Sequence, residues 1–173
     1  MEFHLEHEVP ISAQELWLLL HTPEFDAFVA KEYGLKAYIE LERNILDNMI
    51  RRKVRIVSKV DLNYVVQRLA HKVLGGDELV YEEIQEKYFD RFEMSWRIVP
   101  PVLKDKFEAS GILRLKPIDE NRCLRIREGR IHIHIFGLNQ MLEWIAGLQS
   151  KRLKDRFPQT VSKWKLQKQI TEI

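Results

Sequence analysis

The segment Arg130-Ile131-His132-Ile133-His134-Ile135 alternates strictly, and it runs through Phe136-Gly137 into a long stretch with helical apolar spacing. Few arrangements satisfy both periods at once. A period of two asks for a half-buried strand, whereas Leu138, Met141, Leu142, Ile145, Leu148, Leu153, Phe157, Val161 and Trp164 ask for a helix buried along one stripe. A helix over 138–157 would be about 30 Å long, enough to cross a small domain. The pair predicts a sheet closed against one terminal helix. Pro158 interrupts that stripe, because an interior proline forfeits a hydrogen bond and crowds the preceding turn. The sequence therefore predicts a packed helix up to Phe157 and a more mobile basic extension over 158–173.

Upstream, Phe3, Leu5, His7 and Val9 alternate with acidic and polar neighbours, giving a first strand that Pro10 stops. Ser12-Ala13-Gln14-Glu15 is a capping box that starts a short helix, and Thr22-Pro23 starts a second, which Gly34 ends. From there the pattern is mostly strand-like: a hairpin of 35–46 and 48–60 around Asp47-Asn48, then strands at 78–89, 91–99, 106–117 and 122–135. The segment 63–74 reads as a short helix closed by Gly75-Gly76. Phe107, Ala109, Gly111, Leu113 and Leu115 share one face. Leu124 and Ile126 are out of phase with Ile131 and Ile133, so a bulge at Glu128-Gly129 is expected to restore one inner face.

A length of 173 residues with 45% hydrophobic content suits a single domain, 1–173. The 28 basic and 26 acidic residues nearly cancel, so the chain lacks the basic excess of a dedicated nucleic-acid binder, and none is expected as a partner. Cys123 is the single cysteine, which excludes an intrachain disulfide. With no signal-peptide pattern and no long apolar run, a cytoplasmic location is the simplest expectation.

The order of elements resembles the START-like superfamily, also called SRPBCC or helix-grip. The stretch Phe3 to Trp17 is similar to that family's opening strand and capped helix. Ile131-His132-Ile133-His134-Ile135 with Leu138 and Met141-Leu142-Glu143 is similar to its last strand and helix entry. Ile98-Val99-Pro100-Pro101, Asp105-Lys106, Gly111 and Leu115-Lys116-Pro117 are similar to an uncharacterised bacterial subgroup of that superfamily. Phe136-Gly137 departs from the pattern, which favours proline followed by a glycine. The resemblance implies an α+β fold in which a curved antiparallel sheet wraps a long C-terminal helix, with two short helices after the first strand. It also implies a hydrophobic cavity between sheet and helix.

Candidate ligand-binding residues are the inward side chains Tyr81, Phe92, Met94, Trp96, Leu113, Leu115, Ile131, Ile133, Met141, Leu142 and Ile145, although regular apolar spacing is equally the ordinary signal of a filled core. No catalytic constellation, metal site or cofactor motif emerges. His132 and His134 read as surface histidines and His7 as a core one, while Glu82, Glu83, Glu86 and Glu93 cannot be paired without a known register. Cys123 lies in a strand, where burial outweighs use as a nucleophile. The leading expectation is a non-enzymatic carrier of a hydrophobic, lipid-like molecule. A cyclase- or hydrolase-type enzyme using the same cavity and an interaction module with a filled core are the alternatives. Seven basic residues from Lys151 to Lys168 against one acid, Asp155, add a weak contact with anionic membranes.

Overall fold

Alternation in the first strand is realised as predicted: in β1, Glu2–Val9, the side chains of His7 and Val9 are buried while Glu2, His4, Glu6 and Glu8 are exposed. The computed structural model describes residues 2–59, 78–99, 107–133 and 156–171. Two short helices follow. In α1, Ala13–Leu19, the Ser12 hydroxyl accepts from the Glu15 amide at 3.1 Å. In α2, Pro23–Glu32, Thr22 caps the Phe25 amide and Pro23 fills the first turn, where its missing N–H costs nothing. Gly34, at φ 66°, ends α2 in a Schellman motif, with Leu35 N–H donating to Ala30 and Gly34 N–H to Lys31.

The remaining strands are β2, Ala37–Ile45; β3, Met49–Lys59; β4, Glu78–Tyr88; β5, Glu93–Val99; β6, Phe107–Asp119; and β7, Arg122–Ile133. They form one antiparallel sheet in the order β1-β7-β6-β5-β4-β3-β2. The predicted strands thus all form, within a few residues of their expected ends. The helix expected at 63–74, the strand end beyond Ile133 and the helix entry from Leu138 lie outside the described residues.

One register expectation fails. β7 pairs without a shift through Glu128-Gly129 with both neighbours, so there is no bulge there. The inner face of β7 therefore reads Cys123, Arg125, Arg127, Gly129, Ile131, and Leu124 and Ile126 point outward. Ile126 is buried all the same, flanked in the ladder by the long side chains of Glu6 and Arg114. The apolar signal that suggested an inward position was real burial on the wrong face.

Gly111 and Gly129 face each other across β6 and β7. A Cβ at Gly111 would meet the Glu128 carbonyl and the Trp96 ring, and one at Gly129 would lie 2.6 Å from the same ring. The two glycines thus make room for the indole, which continues to a stacked contact with Phe3 at 5.9 Å.

The packed core occupies one end of the inner face. Val9, Ile11, Leu16, Trp17, Phe25, Met94, Leu113, Leu115 and Cys123 meet the last helix, α3, Arg156–Thr171, at Phe157, Val161 and Trp164. Trp164 takes the edges of Phe25 and Phe28 at 5.3 and 5.2 Å. α3 runs on through Pro158, and its buried residues beyond that proline dock it on α2 and β1.

Candidate functional site

Polar side chains cross the inner face beside this core, and the register explains why. Opposed residues in an antiparallel sheet share a face, so Arg52, Gln85 and Trp96 point inward together, as do Val54, Glu83 and Ile98. Such groups inside a protein must find partners or carry a desolvation cost.

Arg52 finds all of its partners. It is 3% exposed and donates through Nε to Gln85 at 2.7 Å, through Nη2 to the Tyr38 hydroxyl at 2.9 Å, and to both carboxylate oxygens of Asp26. Gln85 passes the chain on to Glu83 at 2.6 Å. This network ties α2 to β2, β3 and β4. Lys87 is equally committed, donating to the carbonyls of Trp17 and Leu20 at the end of α1. Burial and the nearby Arg52 hold its ammonium down to about pKa 8. His21, at φ 76°, sits in the same region with Nε2 3.0 Å from the Met94 sulfur. Burial, reinforced by Arg52 and Lys87, lowers its pKa to about 2.

Arg125 and Arg127 differ. Among the described residues the Nε of each is buried and meets no hydrogen-bond acceptor. Arg125 stacks on the Phe157 ring at 4.2 Å and Arg127 on the Trp96 ring at 4.5 Å, while the carboxylate of Glu83 stands 3.8 Å from Arg127. Burial and the like charge of Arg127 depress Arg125 to about 10, which leaves it cationic at neutral pH. The Trp96 indole N–H is another buried donor with no acceptor among the described residues. Around them, the phenols of Tyr33 and Tyr81 are pushed upward by burial, that of Tyr33 against the pull of both arginines.

The sequence-derived candidates divide. Met94, Leu113 and Leu115 are buried within the packed core, and Phe92 packs against it. Trp96 is buried beneath Arg127. Tyr81 and Ile131 are half-buried on the inner face, joined there by Phe3, Leu5, Ile98 and Phe107. Ile133 stands opposite Phe107 in the ladder. Met141, Leu142 and Ile145, like Asp105, His134 and Glu143, lie outside the described residues. His7 is buried opposite Arg125, and His132 is exposed.

The acidic candidates separate by face. Glu83 is inward, whereas Glu82 pairs with Lys53 and Arg55, Glu86 with Arg51, and Glu93 with Arg91 and Arg114. Among the described residues no three His, Cys, Asp or Glu side chains gather as a metal site would require. Burial raises the Cys123 thiol to about 11, so it carries almost no thiolate at neutral pH. Sequence reasoning missed Arg125 and Arg127, because the bulge it expected gives the inner face to Leu124 and Ile126 instead.

A hollow of about 880 Å³ opens on the outer face around Ser95, Arg97, Ser110, Glu128 and Arg130. Its Glu86 and Glu128 are held by Ser95 and Arg114, so it is a solvated ion-pair surface rather than the apolar cavity expected on the other side. In the basic run, Lys163 pairs with Glu32 at 2.5 Å, Lys165 donates to the Pro10 carbonyl at 3.0 Å, and Lys168 lies over Trp164 at 4.9 Å. No described helix is long and apolar enough to cross a membrane.

No family model matches the chain, and no curated protein sequence does. Solved structures do match. The Zhui aromatase/cyclase from Streptomyces sp. R1128 superposes with a TM-score of 0.64 at 14% identity, over 94% of this chain and 93% of that one. A START superfamily protein from Mycobacterium smegmatis gives 0.60 at 14% identity, over 94% and 98%. Norcoclaurine synthase from Thalictrum flavum, solved with dopamine and hydroxybenzaldehyde, gives 0.63 at 12% identity, over 96% and 87%. Together with the seven-stranded antiparallel sheet, the two short helices after β1 and the C-terminal helix, these matches show that the chain has the START-like, helix-grip fold.

Proposed function

We propose that this protein binds and carries a hydrophobic small molecule in a space over the inner face of the sheet. The observation that carries this reading is the division of that face into two halves. At one end Met94, Leu113 and Leu115 are buried in a packed core, while Phe3, Leu5, Tyr81, Ile98, Phe107 and Ile131 face the same side and are only half-buried. Apolar side chains that face inward and stay half-exposed are what a ligand site presents.

The titratable groups support carriage over the cyclase or hydrolase alternative. Lys87 is spent on helix carbonyls, His21 stays neutral at any physiological pH, and the Tyr33 and Tyr81 phenols are held protonated by burial. His21 and the two phenols exchange no proton near pH 7, and the Lys87 ammonium, held down to about 8, is occupied by the helix carbonyls. The basic run on α3 adds a weak, salt-screened attraction to anionic membranes, from which such a ligand can be collected.

Native mass spectrometry of gently purified protein, followed by solvent extraction and identification of what is released, tests the reading. A retained apolar molecule in near-stoichiometric amount is expected, together with saturable uptake of a fluorescent lipid. Protein that arrives empty and takes up no apolar probe would return the chain to the filled-core interaction module.

A further inference from the structure

Building on that ligand space, we propose that Arg125 and Arg127 form a head-group site for one carboxylate, so that the ligand is an amphiphilic carboxylic acid. The two residues are alternate positions of β7 and therefore share its inner face, with side chains about 7 Å apart at their roots. Their environment separates them from Lys87, which donates to carbonyls at the end of α1, and from Arg52. Arg52 spends its donors on Asp26, Tyr38, Gln85 and Glu40, which makes it a clamp between α2 and the sheet. The Nε atoms of Arg125 and Arg127 are both buried and find no acceptor among the described residues.

A buried charged donor left unmade is among the costlier features a fold can retain. It is retained here in duplicate, and the Trp96 Nε1 donor beside it is also without an acceptor. Three buried donors that meet no acceptor among the described residues point to a ligand rich in acceptor oxygens. The aromatic stacking does not compete with that use. The guanidinium carbons lie 4.2 and 4.5 Å from the centroids of the Phe157 and Trp96 rings, contacts that hold the cations in position without using a hydrogen-bond acceptor.

Charge decides the class of anion. Among the described residues, two guanidinium groups stand against one carboxylate, Glu83, already engaged by Gln85 and 3.8 Å from Arg127. The surplus is one positive charge, which a singly charged carboxylate neutralises and a doubly charged phosphate would overshoot. A planar carboxylate also matches the fork of an arginine through paired, parallel hydrogen bonds. The apolar remainder of the ligand then lies along Phe3, Leu5, Tyr81, Phe107 and Ile131, the half-buried side chains of the same face.

Calorimetric titration with dodecanoate, methyl dodecanoate and dodecyl phosphate, each below its micellar concentration, tests the proposal. Dodecanoate should bind at least about tenfold more tightly than the ester, since hydrogen bonds to a charged group are worth that much or more. Arg125→Met and Arg127→Met should each bring the acid down to the level of the ester while leaving ester binding unchanged. If either variant does not fold, the acid-to-ester ratio in the natural chain decides by itself. Equal binding of acid and ester would overturn the head-group site and leave the apolar ligand space standing. Tighter binding of the phosphate would overturn the singly charged class, and an unchanged ratio in both variants would overturn the assignment to these arginines. Failure of all three probes to bind would overturn the ligand space along with its head-group site.

Discussion

At His21 backbone strain and burial coincide. Its φ of 76° lies in the left-handed region, its side chain is buried, and its carbonyl accepts from Arg43 at 2.8 Å, so the turn between α1 and α2 is held from several sides. The imidazole is deprived of its proton by desolvation first and by Arg52 and Lys87 second, down to about pH 2. The unfolded chain binds that proton at the ordinary value near 6.5, so between those limits the unfolded state holds one proton more than the folded state. Stability from this residue is therefore complete above pH 6.5 and falls as pH drops, by about 1.4 kcal/mol per unit. Denaturant unfolding of the natural chain and of His21→Asn, which tolerates the same backbone angle, should give curves that differ in slope between pH 6.5 and 4.5. The natural chain should lose about 2–3 kcal/mol more over that interval. Parallel curves would mean that the imidazole is protonated in place.

Among the elements, the β6–β7 pair carries the tightest constraint. At Gly111 an added methyl group meets a backbone carbonyl as well as the Trp96 ring, and a carbonyl fixed in a ladder cannot move aside as a flexible side chain would. Gly111→Ala should cost about 2–3 kcal/mol or more in thermal or urea unfolding, the upper range for overpacking, and should disturb the Phe3–Trp96 stack visible in near-ultraviolet circular dichroism. A change under about 0.5 kcal/mol would show that the strands can part. For α3, burial of Phe157, Val161 and Trp164 predicts slow amide exchange around residues 160–164, beyond Pro158. Rapid exchange there would favour the mobile extension anticipated from the proline.

Much at this scale was legible in the sequence, for local reasons. The Ser12 and Thr22 caps, Pro23, Gly34 and the period-two strands each act within a few residues, and all appear where the sequence put them. The site was less legible because its determinants are distant. Nothing near Arg125 announces that it faces inward, since its partners are Phe157 on α3 and the register of β1, and a charged residue in a strand is ordinarily solvated. Leu124 and Ile126 strengthened the opposite assignment. Arg52 shared its face with Ile50, Val54 and Ile56 in the sequence pattern, but the Asp26, Tyr38 and Gln85 that make its burial tolerable come from three other elements.

At the scale of the whole molecule, an inner face packed at one end and half-buried elsewhere implies that occupancy and stability are linked. A ligand that binds only the folded state adds about 2.7 kcal/mol at a hundredfold excess over its dissociation constant. In differential scanning calorimetry, saturating dodecanoate should raise the unfolding temperature by roughly 5–10 °C for a chain of this size, and methyl dodecanoate at the same concentration should raise it less. An equal shift for the two would locate the gain in apolar contact alone.

The pairing of β1 with β7 also has a consequence for how the chain comes to be folded. Glu8 and Arg122, which close one end of that ladder, are 114 residues apart in sequence. During synthesis β1 leaves the ribosome long before its partner strand β7 exists, and α3, which donates to Pro10 through Lys165, follows later still. Hairpins such as β2–β3 can close as soon as they emerge, but the apolar face of Phe3, Leu5 and Val9 has to wait for the last third of the polypeptide. The nascent chain therefore passes through a stage in which a strand with one greasy side and no neighbour is open to chaperones, or to the same strand of another nascent chain.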